Sequence, residues 1–205
     1  MPATTSSGIT VALTDRQGYG GLLDTLDNVI ADYPGRDGHI ALLMIDLSAA
    51  EMLVPALGHR RICEILDAAQ VQLENIKRPK DILSRVDHHH FALVISDLKF
   101  AAMADLAANK IIESLDGLRS LTGMHTSVHP TIGIVLFPEH GQSAEELVME
   151  AENTVQAAHQ ANKRIMHAGG SRNELITRNK VLEAELESAF MNSQFELYYQ
   201  PKVDL

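Results

Sequence analysis

Three groups of residues have types and spacing that could do chemistry. The first is Asp87-His88-His89-His90, a carboxylate followed by three imidazoles. Imidazole moves protons near neutral pH and suits transition metals such as Zn²⁺ or Ni²⁺. The second is Asp46, which closes the apolar run I-A-L-L-M-I-D-L; a lone carboxylate there either holds a cation or caps the helix that follows. The third is R-P-K-D, in which Arg78 and Asp81 set a bidentate donor fork beside a carboxylate acceptor.

The elements around these residues follow from hydrophobic patterning. Ile82 and Leu83 begin one strand and Phe91 to Ile95 form another, so Asp87 to His90 reads as the exposed tip of a β-hairpin. The run His39 to Leu47 is short and nearly continuously apolar, as a buried central strand is, and Asp46 is its late carboxylate. Leu22, Leu23, Leu26, Val29 and Ile30 recur at helical spacing, with an end near Pro34-Gly35. Ser48 stands where it could cap a helix over Ala49 to Leu57, and Gly58-His59 breaks that helix. A further helix buries Ile62, Ile65, Leu66, Ala69 and Leu73. After the hairpin, Met103, Leu106, Ala107, Ile111 and Leu115 predict a buried helix face. Val128, Pro130, Ile132, Ile134 and Leu136 alternate as a strand, with Pro130 pointing to an edge or a bulge. Ser143 and Glu146 form a capping box for a helix burying Leu147, Ala151, Val155 and Ala158. The order is helix, strand, two helices, hairpin, helix, strand, helix, which predicts an α+β fold with a mostly antiparallel sheet flanked by helices.

Composition narrows the function classes. The chain has 205 residues with 45% hydrophobic and only 4% aromatic residues, so its core is aliphatic. Seventeen basic against 27 acidic residues give a net charge of -10, which repels a nucleic-acid polymer but leaves room for a small nucleotide held by a few local groups. Cys63 is the only cysteine, so neither an internal disulfide nor a Cys-rich zinc site is available. The N-terminus lacks the pattern of a signal peptide, and no apolar run approaches the ~20 residues of a membrane span. The expected location is the cytoplasm, although a longer parent could be membrane-tethered.

At the hairpin the sequence resembles the GGDEF domains, the diguanylate cyclase family, with D-H-H-H-F where G-G-D-E-F would stand. Only Phe91 is retained there. The resemblance extends to I-A-L-L-M-I-D-L-S as the first strand, G-H-R-R-I-C-E-I-L as the Gly-His-x-x-Gly-Asp helix, T-I-G-I with P-E-H-G as a strand and turn, and A-E-N-T-V-Q-A-A-H as a late helix. It implies the palm-like nucleotidyl-cyclase fold over 21–168, after a leader of 1–20. Past a hinge at 169–173, residues 174–205 resemble the opening helix and first strand of EAL domains, the cyclic di-GMP phosphodiesterases. The strand Phe195 to Gln200 would then lack its own sheet, and a domain cut there lacks the Glu-Ala-Leu motif.

The resemblance also says what is missing. Asp46 matches the first metal carboxylate; His89 stands at the second and His90 at the catalytic acidic position. Asp87 and His88 replace the two glycines. Val54 and Cys63 stand where guanine is read, and His159 replaces a phosphate-holding lysine, with Lys163 and Arg164 nearby. The expectation is therefore a domain with no catalytic residues, His88, His89 and His90 being degenerate positions. No cofactor is required, and Mg²⁺ enters only if residual nucleotide binding persists. Arg78 and Asp81 fall in the register of the family's inhibitory site for cyclic di-GMP, where they would read a guanine edge.

The expected role is regulation or ligand sensing in cyclic di-GMP signalling, controlling an attached EAL domain. Expected partners are cyclic di-GMP, that EAL domain and a second copy of the chain. The rival readings are a working cyclase whose histidines replace carboxylates and a ligand-free dimerisation or docking module. Plainer accounts exist for each residue as well: helix capping for Asp46, solvated turn residues for the histidines, and a surface ion pair for Arg78 and Asp81. Adjacent strand residues point to opposite faces, which works against convergence of three consecutive histidines on one ion.

Overall fold

The computed structural model describes residues 18–33, 38–117 and 128–169. Chain contacts divide it after Ala168, so the described residues belong to one unit, apart from Gly169. The expected leader lies almost entirely outside the described residues, as does the EAL-like segment.

Five strands form one sheet in the order β2-β3-β1-β4-β5. They are β1 (His39–Asp46), β2 (Ile82–Arg85), β3 (His90–Leu98), β4 (Thr131–Phe137) and β5 (Ile165–His167). All pairings are antiparallel except β4 with β5. β1 is central, which explains its lack of alternation: seven of its eight residues are buried because both faces are covered. This is the α+β architecture that the element order predicts.

The helices sort by face. On one side, Leu43, Ile45, Phe91 and Leu93 pack against α3 (His59–Ile76) and α4 (Ala102–Asp116). On the other, Leu42, Met44 and Val94 pack against α1 (Tyr19–Ala31) and α5 (Ala144–Gln160). The α3 face buries Ile62, Ile65, Leu66, Ala69 and Leu73, the five positions expected. Full burial of one such aliphatic side chain contributes about 1.5–3 kcal/mol, so this face alone anchors the helix.

Three local readings need correction, and one strand has no counterpart among them. Ser48 caps no helix: its hydroxyl donates to Asp46 Oδ2, and Ser48–Leu53 is a 3-10 turn leading into the one-turn helix α2 (Val54–Leu57). Gly58, at φ +77°, then turns the chain into α3 as the sequence suggests. The buried side of α4 is Ala104, Ala108, Ile111 and Leu115, whereas Leu106 is 71% exposed. Its small alanines, Ala104 and Ala108, join the buried core, while Met103 and Leu106 line a groove beside α3. β4 is an inner strand; Pro130 precedes it and withdraws no ladder donor. Finally, β5 has only three residues, too few to show a period of two in the sequence.

The capping box at α5 is half as expected. Ser143 Oγ accepts from Glu146 N at 3.2 Å, but the Glu146 carboxylate reaches the Gln142 N–H at 2.7 Å instead of that of Ser143.

Candidate functional site

Asp46 stands at the end of β1, directly opposite His90 on β3 and Thr131 on β4. Its even-numbered register places it on the α1 and α5 face, where the last turn of α5 carries His159. The carboxylate is 4% exposed and heavily engaged. Oδ1 accepts from the Ser48 N–H at 2.6 Å, and Oδ2 accepts from the Ser48 hydroxyl at 2.9 Å. His159 Nε2 also contacts Oδ2, and His90 Nε2 lies 3.5 Å from Oδ1. Asp46 therefore caps the following turn and is clamped by two imidazoles at once.

Only His90 lies in β3; His88 and His89 sit in the turn, where their rings meet edge to face with centroids 4.7 Å apart. His90 faces Asp46, His89 Nε2 pairs with Glu51 Oε1 at 3.1 Å, and His88 Nε2 lies 3.8 Å from Cys63 Sγ. Among the described residues no group of three or more His, Cys, Asp or Glu side chains is arranged to hold a metal ion.

Asp87 organises the tip. Its Oδ1 accepts from the backbone N–H groups of His89 and His90, both at 2.8 Å, and its Oδ2 meets His90 Nδ1 at 2.7 Å. Partial burial pushes the Asp87 carboxyl up, but the His89 N–H and the His90 contacts pull harder and leave it below the usual carboxylate value. A depressed folded-state pKa stabilises above the unfolded value and loses that contribution as pH falls through the folded one. Asp87→Ala is thus expected to cost about 0.5–1.5 kcal/mol at neutral pH, the worth of a net hydrogen bond. The deficit should shrink as pH falls below about 4, where the unfolded carboxylate takes up a proton first, and disappear only once the folded carboxylate is protonated too. Urea denaturation at both pH values checks this.

Arg78 and Asp81 close on each other. Arg78 Nε and Nη2 donate to Asp81 Oδ2 and Oδ1, both at 3.0 Å, and the Arg78 backbone N–H adds a bond of 3.1 Å. Asp81 is 5% exposed, while the Arg78 side chain is 47% exposed. The Asp81 hydrogen bond holds the guanidinium even more firmly charged than usual. The pair stands on the other side of the sheet from Asp46, beside the groove between α3 and α4.

Two contacts were not read from the sequence. His159 was expected to stand in for a phosphate-holding lysine, and nothing in its spacing shows that it reaches Asp46, 113 residues away. Arg164, named beside it, is engaged by Asp116 through two bonds of 2.9 and 3.0 Å.

The family model described as "Diguanylate cyclase, GGDEF domain" matches residues 12–164. The chain is 26% identical over 166 residues to the cyclic di-GMP phosphodiesterase NbdA of Pseudomonas aeruginosa, covering 79% of this chain and 21% of that protein. It is also 26% identical over 181 residues to the bifunctional diguanylate cyclase/cyclic di-GMP phosphodiesterase MucR of the same organism, covering 88% of this chain and 26% of MucR. The chain thus spans about a fifth to a quarter of these relatives. Among solved structures, the GGDEF domain of TpbB (YfiN) from Pseudomonas aeruginosa superposes with a TM-score of 0.72 at 23% identity, over 81% of this chain and 98% of that one. The GGDEF domain of DgcB from Caulobacter crescentus, solved in complex with c-di-GMP, has a TM-score of 0.64 at 14% identity, over 81% and 99%. No described helix is long and apolar enough to cross a membrane. With one family model matched from residue 12 to residue 164, and the same palm of strands and helices in solved relatives, this chain belongs to the GGDEF family.

Proposed function

We propose that this is a catalytically silent GGDEF domain with a regulatory or ligand-sensing role in cyclic di-GMP signalling. The observation that carries the reading is the occupied state of Asp46. A cyclase built on this fold needs hard oxygen ligands for Mg²⁺. Here the one matching carboxylate is already held by Ser48, His159 and His90, and two of these three side-chain partners are imidazole nitrogens. That donor set does not fit Mg²⁺, so no catalytic step is routed through it. His89 and His90 supply no negative charge to replace the missing carboxylates.

Arg78 is the group through which this domain would sense cyclic di-GMP. The structure alters the expected division of labour: Asp81 is buried and serves as the anchor, while the half-exposed guanidinium presents its outer edge. The self-closed pair also favours a second reading, a ligand-free module that docks onto a partner such as an attached EAL domain. Calorimetric titration separates the two. Heat with cyclic di-GMP but not with GTP supports the sensor; no heat with either supports docking.

A further inference from the structure

Beside the Arg78–Asp81 pair lies a groove that the cyclic di-GMP reading does not use. It runs between α3, α4 and the outer sheet strands and encloses about 200 Å³. Its walls are apolar, with Leu73, Leu93, Ile95, Met103 and Leu106 among them. At 71% exposure Leu106 makes an open apolar lip. The volume falls below the ~300–1,000 Å³ of typical drug-sized ligand sites, so it suits a short aliphatic chain better than a dinucleotide.

The polar lining has one sign in excess. Lys77, Arg78 and Lys110 stand against one carboxylate, Asp81, whose oxygens are already taken by Arg78. Lys77 lies 3.5 Å from Glu74 and also donates to the Asp81 carbonyl at 3.3 Å. Lys110 Nζ donates at 3.0 Å to a neutral acceptor, the Ile76 carbonyl. An ammonium carries three donors, so this bond leaves two for a ligand. The cationic lining is notable in a chain of net charge -10.

We propose that this groove binds a small amphiphile consisting of a short aliphatic chain with a single anionic head. The chain lies along Met103 and Leu106, and the head meets Lys110 at the mouth. Two sources share this chemistry, a free carboxylic acid and an acyl or alkyl group carrying a phosphate. The groove adjoins the sensor site, since Arg78 and Asp81 belong to its lining, but Lys110 takes no part in that pair.

The test titrates the whole chain with octanoate, octyl phosphate and neutral octanol, following calorimetric heat and the methyl resonance of Met103. Both anions are expected to bind more tightly than octanol. Lys110→Gln should weaken the anions about tenfold, as loss of a charge-assisted contact does, and leave octanol unchanged. Leu106→Asp, at an exposed position that folding does not need, should weaken all three. A tighter octanoate complex assigns the head to a free acid, and a tighter octyl phosphate complex assigns it to a phosphate; either upholds the site. Absence of binding by both anions at millimolar concentration, equal affinity for octanol, or indifference to Lys110→Gln overturns it. Cyclic di-GMP titration of Lys110→Gln keeps the outcomes apart, since that variant should bind the dinucleotide as the parent does.

Discussion

Gly133→Val is expected to destabilise the domain by about 3 kcal/mol, the upper end of the usual cost of overpacking a tight core. A Cβ at Gly133 would stand 2.9 Å from the Ala151 carbonyl oxygen, 2.9 Å from Val155 Cγ2 and 3.1 Å from the Val155 N. Two of those atoms are α5 backbone, which cannot turn aside as a side-chain tip can. The helix would have to lift from β4, carrying His159 away from Asp46. Urea denaturation would read the loss, and the imidazole resonance of His159 should shift with it. A loss below about 1 kcal/mol, less than overpacking normally costs, would mean that α5 rests on the sheet less closely than described.

Arg78→Ala is expected to act twice. Asp81 is buried, and removing the guanidinium leaves its carboxylate with the Arg78-position backbone N–H as its remaining described donor. Stranding a buried charge in this way should cost about 2–3 kcal/mol of folding stability. If cyclic di-GMP binds, the same substitution should also remove about 1–3 kcal/mol of affinity, the worth of a bidentate base contact. Asp81→Asn separates the effects, because it loosens the anchor while keeping the guanidinium. Thermal unfolding and calorimetry on both variants provide the check. Full affinity in Arg78→Ala would remove Arg78 from the proposed sensor.

The fold was legible in the sequence where one periodicity dominated. The α3 stripe from Ile62 to Leu73 was read residue by residue, because only one face of that helix meets the sheet. The unbroken run of β1 likewise announced a strand covered on both sides. At α4 the reading was rotated: Met103 and Leu106 have the spacing of a core face but border a groove, and periodicity cannot distinguish an apolar wall from an apolar core.

The site was less legible. Strand alternation was the wrong ground for separating the three histidines, because only His90 belongs to β3 and the His88 and His89 rings stay in contact in the turn. The clamp on Asp46 was invisible, since its second imidazole arrives from α5, far along the chain, through helix docking and not through any local pattern. Ser48 shows the same limit: its type suggests a cap, yet its hydroxyl is taken by Asp46 two residues earlier.

Catalytic silence is the central claim, and turnover tests it most directly. The chain would be incubated with GTP and either Mg²⁺ or Mn²⁺, and the nucleotides separated chromatographically alongside an enzyme-free control. The account predicts no cyclic di-GMP above that control. Product above the control that disappears in Asp46→Ala would contradict it, for it would mean that the clamped carboxylate still supports a working cyclase.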